Sequence, residues 1–278
     1  MYKNVIIVRG GGDLASGTIH KLHRSGFKIL VLESYYPTSI RRNVCYSEAI
    51  YTGKITIENI TAIRVRSFNE ILKCWQNNKI PIAVDPHGKF IEMLRPRILI
   101  DAIIAKKNLG TKMNMAETTI ALGPGFEAGK DVHAVIETMR GHNLGRVILK
   151  GEAMKNTGVP GEIGGYSKER VIYSPASGII QNVKEIGDFV SSGEILAYVD
   201  SVEIKTEISG LLRGIIRNGS KIEKGLKIAD VDPRCHEIRN CYTISDKARN
   251  IAGGVLEAIL YFMNKNTETN IKLWNKTS

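Results

Sequence analysis

Residues 177–200 read SGIIQNVKEIGDFVSSGEILAYVD, and residues 209–232 read SGLLRGIIRNGSKIEKGLKIADVD. Shifted by 32 positions, seven residues coincide: Ser177/Ser209, Gly178/Gly210, Gly187/Gly219, Gly193/Gly225, Ala197/Ala229, Val199/Val231 and Asp200/Asp232. Apolar partners follow at Ile179/Leu211, Ile180/Leu212 and Val190/Ile222. The glycines fall where turns are needed, and β-branched residues fill the runs between them. Each copy therefore reads as a short β half-unit. Neither buries its apolar face alone, so the two are expected to pack against each other.

The arrangement A-x-G-x-x followed by G-x-x-V-x-x-G resembles the biotinyl/lipoyl barrel-sandwich module. Such modules carry a prosthetic group on a lysine at the turn between halves. Here that turn is Asp200-Ser201-Val202-Glu203-Ile204-Lys205-Thr206, with Glu203 at the carrier position and Lys205 out of register. No covalent biotin or lipoate is expected.

Upstream, residues 4–9 form an apolar run that ends in Gly10-Gly11-Gly12-Asp13 and leads into an amphipathic helix stopped by Gly26. Strands are expected at 28–33, 61–65, 80–84, 97–101, 118–122 and 132–136, and a helix near 68–77. Alternating strands and helices indicate an α/β layer with a parallel sheet. The predicted fold is a Rossmann-like parallel sheet domain over 1–170, a small all-β barrel-sandwich module over 171–235, and a C-terminal part over 236–278. In that last part Ser245 can cap a helix over 245–264 whose broad apolar face docks back, followed by a polar tail.

The 278 residues suffice for two cores. No apolar run approaches about 18 residues, so no membrane span is expected, and the strand-like N-terminus does not read as a signal peptide. A cytoplasmic location follows by default. Cys45, Cys74, Cys235 and Cys241 lack zinc or C-x-x-C spacing and read as free thiols. The formal net charge is +11, with arginines paired at Arg41-Arg42, Arg64/Arg66, Arg95/Arg97 and Arg140/Arg146. No nucleic-acid motif accompanies them. A phosphate-bearing small molecule and a solvated basic surface both fit that pattern.

Two glycine loops are candidate ligand sites. The first is G-x-G-x-x-A at Gly10, Gly12 and Ala15, placed between strand and helix, with Glu33 closing the second strand to take a ribose hydroxyl. Asp13 sets a carboxylate close to where phosphate would lie. The second loop carries Gly123 and Gly125 and leaves a strand end that could face the same crevice. A plain turn is the alternative for each. A polar cluster follows: Asp131, His133, Glu137, Arg140, His142, Asn143 and Arg146. His133 and His142 are candidate acids or bases, while Arg140, His142 and Arg146 suit an anion. No metal is expected, because the histidines lack ligand spacing. Asp85-Pro86-His87 and Asp101 are candidates by position only. Cys241 is a candidate for sulfur chemistry, with an inert core thiol as its alternative.

Several strings carry a family resemblance. They are VRGGGDLA (8–15), DAIIAKKNLGT (101–111), ALGPGFEAGKDVHAVIETMRGHNLGR (121–146), NTGVPG (156–161), DVDPR (230–234) and ISDKARNIAGGVLEAIL (244–260). Together they resemble the YqeB-type "selenium-dependent molybdenum hydroxylase system" proteins. The first glycine loop is also similar to that of XdhC-type accessory proteins. The resemblance implies an accessory protein for molybdenum hydroxylase maturation that binds a molybdopterin-type cofactor or dinucleotide. Gly10, Gly12, Asp13, Glu33, Gly123, Gly125, Arg140, His142 and Arg146 would then contact the ligand. Its implied partner is an apo molybdenum hydroxylase or another maturation factor, with no nucleic acid or membrane and with homo-oligomers open. An NAD(P)-dependent oxidoreductase and a non-enzymatic protein docking on a hydroxylase are the alternatives.

Overall fold

The computed structural model describes residues 5–277, with side chains through residue 265. Its largest sheet is built from β1 (Val5–Arg9), β2 (Lys28–Glu33), β3 (Lys54–Ile57), β4 (Ile60–Val65), β5 (Ile80–Val84), β6 (Ile98–Asp101) and β7 (Thr118–Leu122). A short β8 (Glu127–Ala128) precedes two further strands of the same sheet, β9 (Ala134–Ile136) and β10 (Val147–Ile148). A final β11 (Gly151–Glu152) pairs with β8 alone. The strand order is β10-β9-β7-β6-β1-β2-β5-β4-β3.

The central strands are nearly continuous apolar runs because both faces are covered. On one face Ile6, Val8, Ile29 and Val31 pack with Ile19 and Leu22 of α1 (Asp13–Arg24) and with Ile251, Val255 and Ile259 of α5 (Asp246–Thr277). On the other, Val5, Ile7, Leu30 and Leu32 meet Ile71 and Cys74 of α3 (Phe68–Gln76) and Ile91 and Leu94 of α4 (Lys89–Leu94). A one-turn α2 (Ala49–Thr52) lies between β2 and β3.

The expected Rossmann-like parallel sheet is corrected to a nine-stranded mixed sheet, because both edges run antiparallel. At one edge, Glu58 and Asn59 take φ of 45° and 70° and close the β3–β4 hairpin. Two successive residues with positive φ give the turn whose twist suits a two-residue hairpin. At the other edge, the chain returns through Gly141 and Gly145, both at positive φ, so that β10 pairs back on β9.

The expected barrel-sandwich module is corrected as well. Residues 171–232 form two four-stranded antiparallel sheets. One contains β12 (Val171–Tyr173), β19 (Lys227–Asp232), β17 (Gly210–Ile215) and β14 (Phe189–Val190), in that order. The other contains β16 (Val202–Lys205), β15 (Ile195–Val199), β13 (Gly178–Asn182) and β18 (Lys221–Ile222). Each repeat copy lends its short strand, β14 or β18, to the sheet of the other copy. Strands outside the repeat, β12 and β16, complete the two sheets. The turn between the halves is the β15–β16 hairpin, with Asp200 at φ 51°. Lys205 lies within β16 and pairs with Glu203 at 2.7 Å.

The polar tail does not end the last helix. α5 runs on to Thr277 because neither proline nor glycine interrupts it after Gly254. Ser245 Oγ accepts from Ala248 N at 3.2 Å and caps its first turn. The two-sheet unit is held to the main sheet by named contacts. Arg42 Nε donates to Ile215 O at 2.8 Å, and its Nη2 pairs with Glu185 at 3.0 Å. Arg217 is ion-paired with Glu48 and lies 4.5 Å over the Tyr51 ring.

Candidate functional site

The first glycine loop is shaped by packing. Gly10 sits at φ +94°, and a Cβ there would meet Ala102 O at 2.9 Å. A Cβ on Gly11 would meet Ser47 N at 2.8 Å. The segment after β2 lies over the loop: Ser47 N donates to Gly11 O, and Tyr46 N donates to Ser16 Oγ. Glu33 is turned inward, accepting from Gly11 N at 3.3 Å and from Ser34 N at 3.1 Å. Burial pushes its carboxyl above the ordinary carboxylate range. Gly12 alone has room beside it, with Ser39 Oγ 3.7 Å from a Cβ position. Gly10 and Gly11 thus accommodate neighbouring backbone, and the loop's acidic residue is already engaged.

The second loop behaves alike. Gly123 packs against Thr138 Oγ1 and Gly125 against the backbone of Lys106 and Lys107, each leaving under 3.0 Å for a Cβ. The polar cluster disperses. Asp131 accepts from Glu127 N, and buried Glu137 accepts from Met139 N and Met154 N. His133 Nδ1 meets Thr119, and its ring lies edge-on to Phe262 at 5.7 Å. Burial holds that imidazole below its ordinary pKa. His142 and Arg146 are exposed on the β9–β10 connection. Cys241 is buried, and burial pushes its thiol up. Asp85 caps α4, taking N–H bonds from Gly88, Lys89 and Phe90. Asp101 accepts from Thr111, which in turn accepts from Arg9. Among the described residues, no group of three or more His, Cys, Asp or Glu could hold a metal ion.

Arg140 and Asp13 both line a cleft of about 480 Å³ where the start of α1, the segment after β2, the two-sheet unit and the start of α5 converge. An adjoining space of about 320 Å³ shares Arg140, Arg213 and Ser245 with it. Five cationic side chains line the larger cleft: Arg41, Arg140, Arg213, Lys227 and Lys247. Against them stand two carboxylates, Asp13 and Asp230, and both are taken. Asp13 pairs with Arg41 at 2.9 Å, and Asp230 with Arg170 at 2.9 Å. Arg140 reaches Asp246 at 3.1 Å, and its hydrogen bonds hold that carboxyl below its ordinary pKa.

The remaining cations are poorly compensated. Lys227 and Lys247 make no ion pair within 4.0 Å among the described residues. Burial depresses the pKa of Lys227; burial and then Arg140 depress that of Lys247. Arg213 reaches Asp230 only at 4.0 Å, and burial and Arg41 beside it depress its pKa. The buried Nε atoms of Arg41 and Arg213 have no hydrogen-bond partner. Ile104, which also lines the cleft, has φ 60°. That left-handed conformation is costly for a β-branched residue and persists only where its surroundings enforce it.

Sequence reasoning missed Arg213, Lys227, Asp230 and Lys247 as site residues. A signal for three of them lay in the repeat itself. At the shift of 32, Arg213 replaces Gln181, Lys227 replaces Ile195 and Asp230 replaces Tyr198. The second copy is charged where the first is neutral or apolar, and those positions face the cleft.

No family model matches the chain. The chain is 46% identical over 261 residues to the "Uncharacterized protein YqeB" of Escherichia coli strain K12, a match that takes in 94% of this chain and 48% of that protein. The resemblance to YqeB-type proteins holds, and the chain spans about half the length of the curated relative it matches. Among solved structures it is similar to the ectoine utilization protein EutE (DoeB) from Ruegeria pomeroyi, at TM-score 0.26 and 10% identity over 82% of this chain and 85% of that one. It is also similar to an aspartoacylase family protein from Mesorhizobium loti, at TM-score 0.26 and 10% identity over 82% and 84% of the two chains. A succinylglutamate desuccinylase from Silicibacter scores 0.25 at 12% identity over 82% and 84%.

The expected role in molybdenum hydroxylase maturation is corrected with its molybdenum, selenium and hydroxylase-docking corollaries. The glycine loop meant for that cofactor lies under the segment after β2, and its Glu33 is engaged by Gly11 and Ser34. The NAD(P) oxidoreductase alternative falls with the same loop. Among the described residues, no helix is long and apolar enough to cross a membrane.

Proposed function

Starting from a YqeB-like chain, we propose that it binds a small organic anion, carboxylated or phosphorylated, in the cleft between its main sheet and its two-sheet unit. The observation that carries this reading is the charge imbalance: five cations share the cleft with two carboxylates that already have partners. Partly buried ammonium and guanidinium groups lose hydration, and only a counter-charge or a proton loss offsets that. A surface patch of equal charge would be screened by salt and would show no depressed pKa values. Arginines suit carboxylate and phosphate oxygens through paired N–H donors, and each such hydrogen bond contributes about 1.5–3 kcal/mol. Asp13, by holding Arg41, and Asp246, by holding Arg140, orient two of the guanidinium groups.

Titration calorimetry with phosphate, citrate and 2-oxoglutarate tests the reading. At least one should bind, with an affinity that falls as salt rises. Arg213→Gln should weaken that anion by about tenfold or more. Arg66→Gln, at an exposed position outside the cleft, should leave it unchanged. Failure of all three anions to bind tighter than about 1 mM at low salt would overturn the proposal.

A further inference from the structure

Lys247 is misplaced by every local rule. It follows Asp246 in the first turn of α5, where the helix dipole disfavours a cation. It is partly buried, it lines the cleft, and no carboxylate lies within ion-pair distance of it among the described residues. Its neighbours across the cleft are cations, chiefly Arg140 and Lys227, with Asp13 and Asp246 as the facing carboxylates. Sequences tend to agree with local preference except where function overrides it. A buried amine beside other cations is the setting in which lysine serves as a nucleophile toward carbonyl carbon.

We propose that Lys247 forms an imine with the carbonyl of a bound 2-oxo acid, whose carboxylate is held by the cleft arginines. The inference rests on the anion-binding reading and names the substrate class for the same site. Two observations beyond the helix start support it: the half-open cleft itself, and Arg41, 7% exposed, whose buried Nε lacks a partner. Burial together with Arg140 lowers the Lys247 pKa, which raises the share of neutral amine at a given pH.

The step balances without a further reagent. The neutral Nζ lone pair attacks the carbonyl carbon, and the C–O π pair moves to oxygen, which takes up a proton. In all, both hydrogens of the attacking amine pass to that oxygen, which leaves as water as the nitrogen lone pair closes the C=N bond in place of C=O. Arg140 and Arg213 can hold the carboxylate throughout, and Lys227 remains the neighbouring cation.

The experiment uses the full chain with pyruvate or 2-oxoglutarate and borohydride, followed by intact mass and peptide mapping. One reduced adduct should form and map to Lys247. Lys247→Arg should abolish that adduct while its circular dichroism spectrum and thermal midpoint match the wild type, and Arg66→Gln, outside the cleft, should keep the adduct. Excess citrate should protect the wild-type chain from the adduct. An adduct on Lys227, or one spread over surface lysines and unaffected by Lys247→Arg, overturns the assignment. Anion binding by calorimetry without any adduct in the wild type overturns the imine and leaves the anion reading standing. Absence of both overturns the two together.

Discussion

Gly17 shows how a single hydrogen in place of a side chain can hold an element. Inside α1, glycine costs about 1 kcal/mol relative to alanine, so intrinsic preference argues against it. The compensation is contact: a Cβ on Gly17 would stand 2.7 Å from Ala248 Cβ and from Ala248 O. α1 and α5 touch through that missing methyl. Gly17→Ala should therefore destabilise the fold by about 1–3 kcal/mol through overpacking, read as a lower urea midpoint. Gly12→Ala should cost no more than about 1 kcal/mol, the usual difference at a helix N-cap. Equal midpoints for the two variants would contradict this division of roles. In the sequence the glycines of the first loop drew attention because their spacing matched a phosphate-binding pattern. Spacing alone carries no record of what packs against a glycine, and here Ser47 and Ala102 do. The same limit hid Lys247, whose significance comes from neighbours far along the chain, Arg140 and Lys227.

At the scale of elements, α5 is latched to the β3–β4 hairpin by Glu58. Its carboxylate accepts from Ile244 N at 2.8 Å and pairs with Arg249 at 2.6 Å. Burial alone would raise Glu58, but the Ile244 hydrogen bond and Arg249 outweigh it and hold the group below its ordinary 4.5. A carboxylate depressed in the fold stabilises it above that ordinary value, and the gain disappears as pH falls through the lower folded value. Nearby His20 is 3.8 Å from Glu58, yet burial keeps it below its ordinary 6.5, so at neutral pH the pair is not ionic. An imidazole depressed by burial binds protons more readily when unfolded, so it too withdraws stability as pH drops below 6.5. Both signs agree: the thermal midpoint should fall on acidification, first from His20 below neutrality and then from Glu58 below 4.5. Glu58→Gln should cost about 1–2 kcal/mol at pH 7 and far less near pH 3. A variant whose deficit is independent of pH would exclude the latch. The helix itself was legible from its apolar periodicity, and the strands at 28–33, 80–84 and 118–122 from their β-branched runs. The hairpin that receives it was not, because Glu58-Asn59 is not a composition that announces a tight turn.

At the scale of the whole molecule, the cleft exists only because stretches far apart in the chain converge. Asp13 and Arg41 come from the main sheet's connections, Arg213 and Lys227 from β17 and β19, and Lys247 from α5. No motif spans such distances, which is why composition showed the positive charge while spacing could not place it. Convergence of this kind depends on packing rather than on the connection between units. The connection, residues 154–169, is largely exposed, and the cleft uses none of it. The contacts across the seam include buried apolar side chains of α5 against α1, the Arg42 bond to Ile215, and the Arg217–Glu48 pair. Apolar burial is insensitive to salt, whereas the ion pairs weaken with it. Limited proteolysis should thus nick the chain within 154–169, and the two fragments should still elute together at high salt because α5 remains docked. The nicked protein should keep the anion affinity of the intact chain within about twofold, since every cleft residue stays in place. If the fragments separate on nicking, or if the affinity vanishes while they stay together, the seam is held by chain connectivity and the cleft is not the preformed site that its charges suggest.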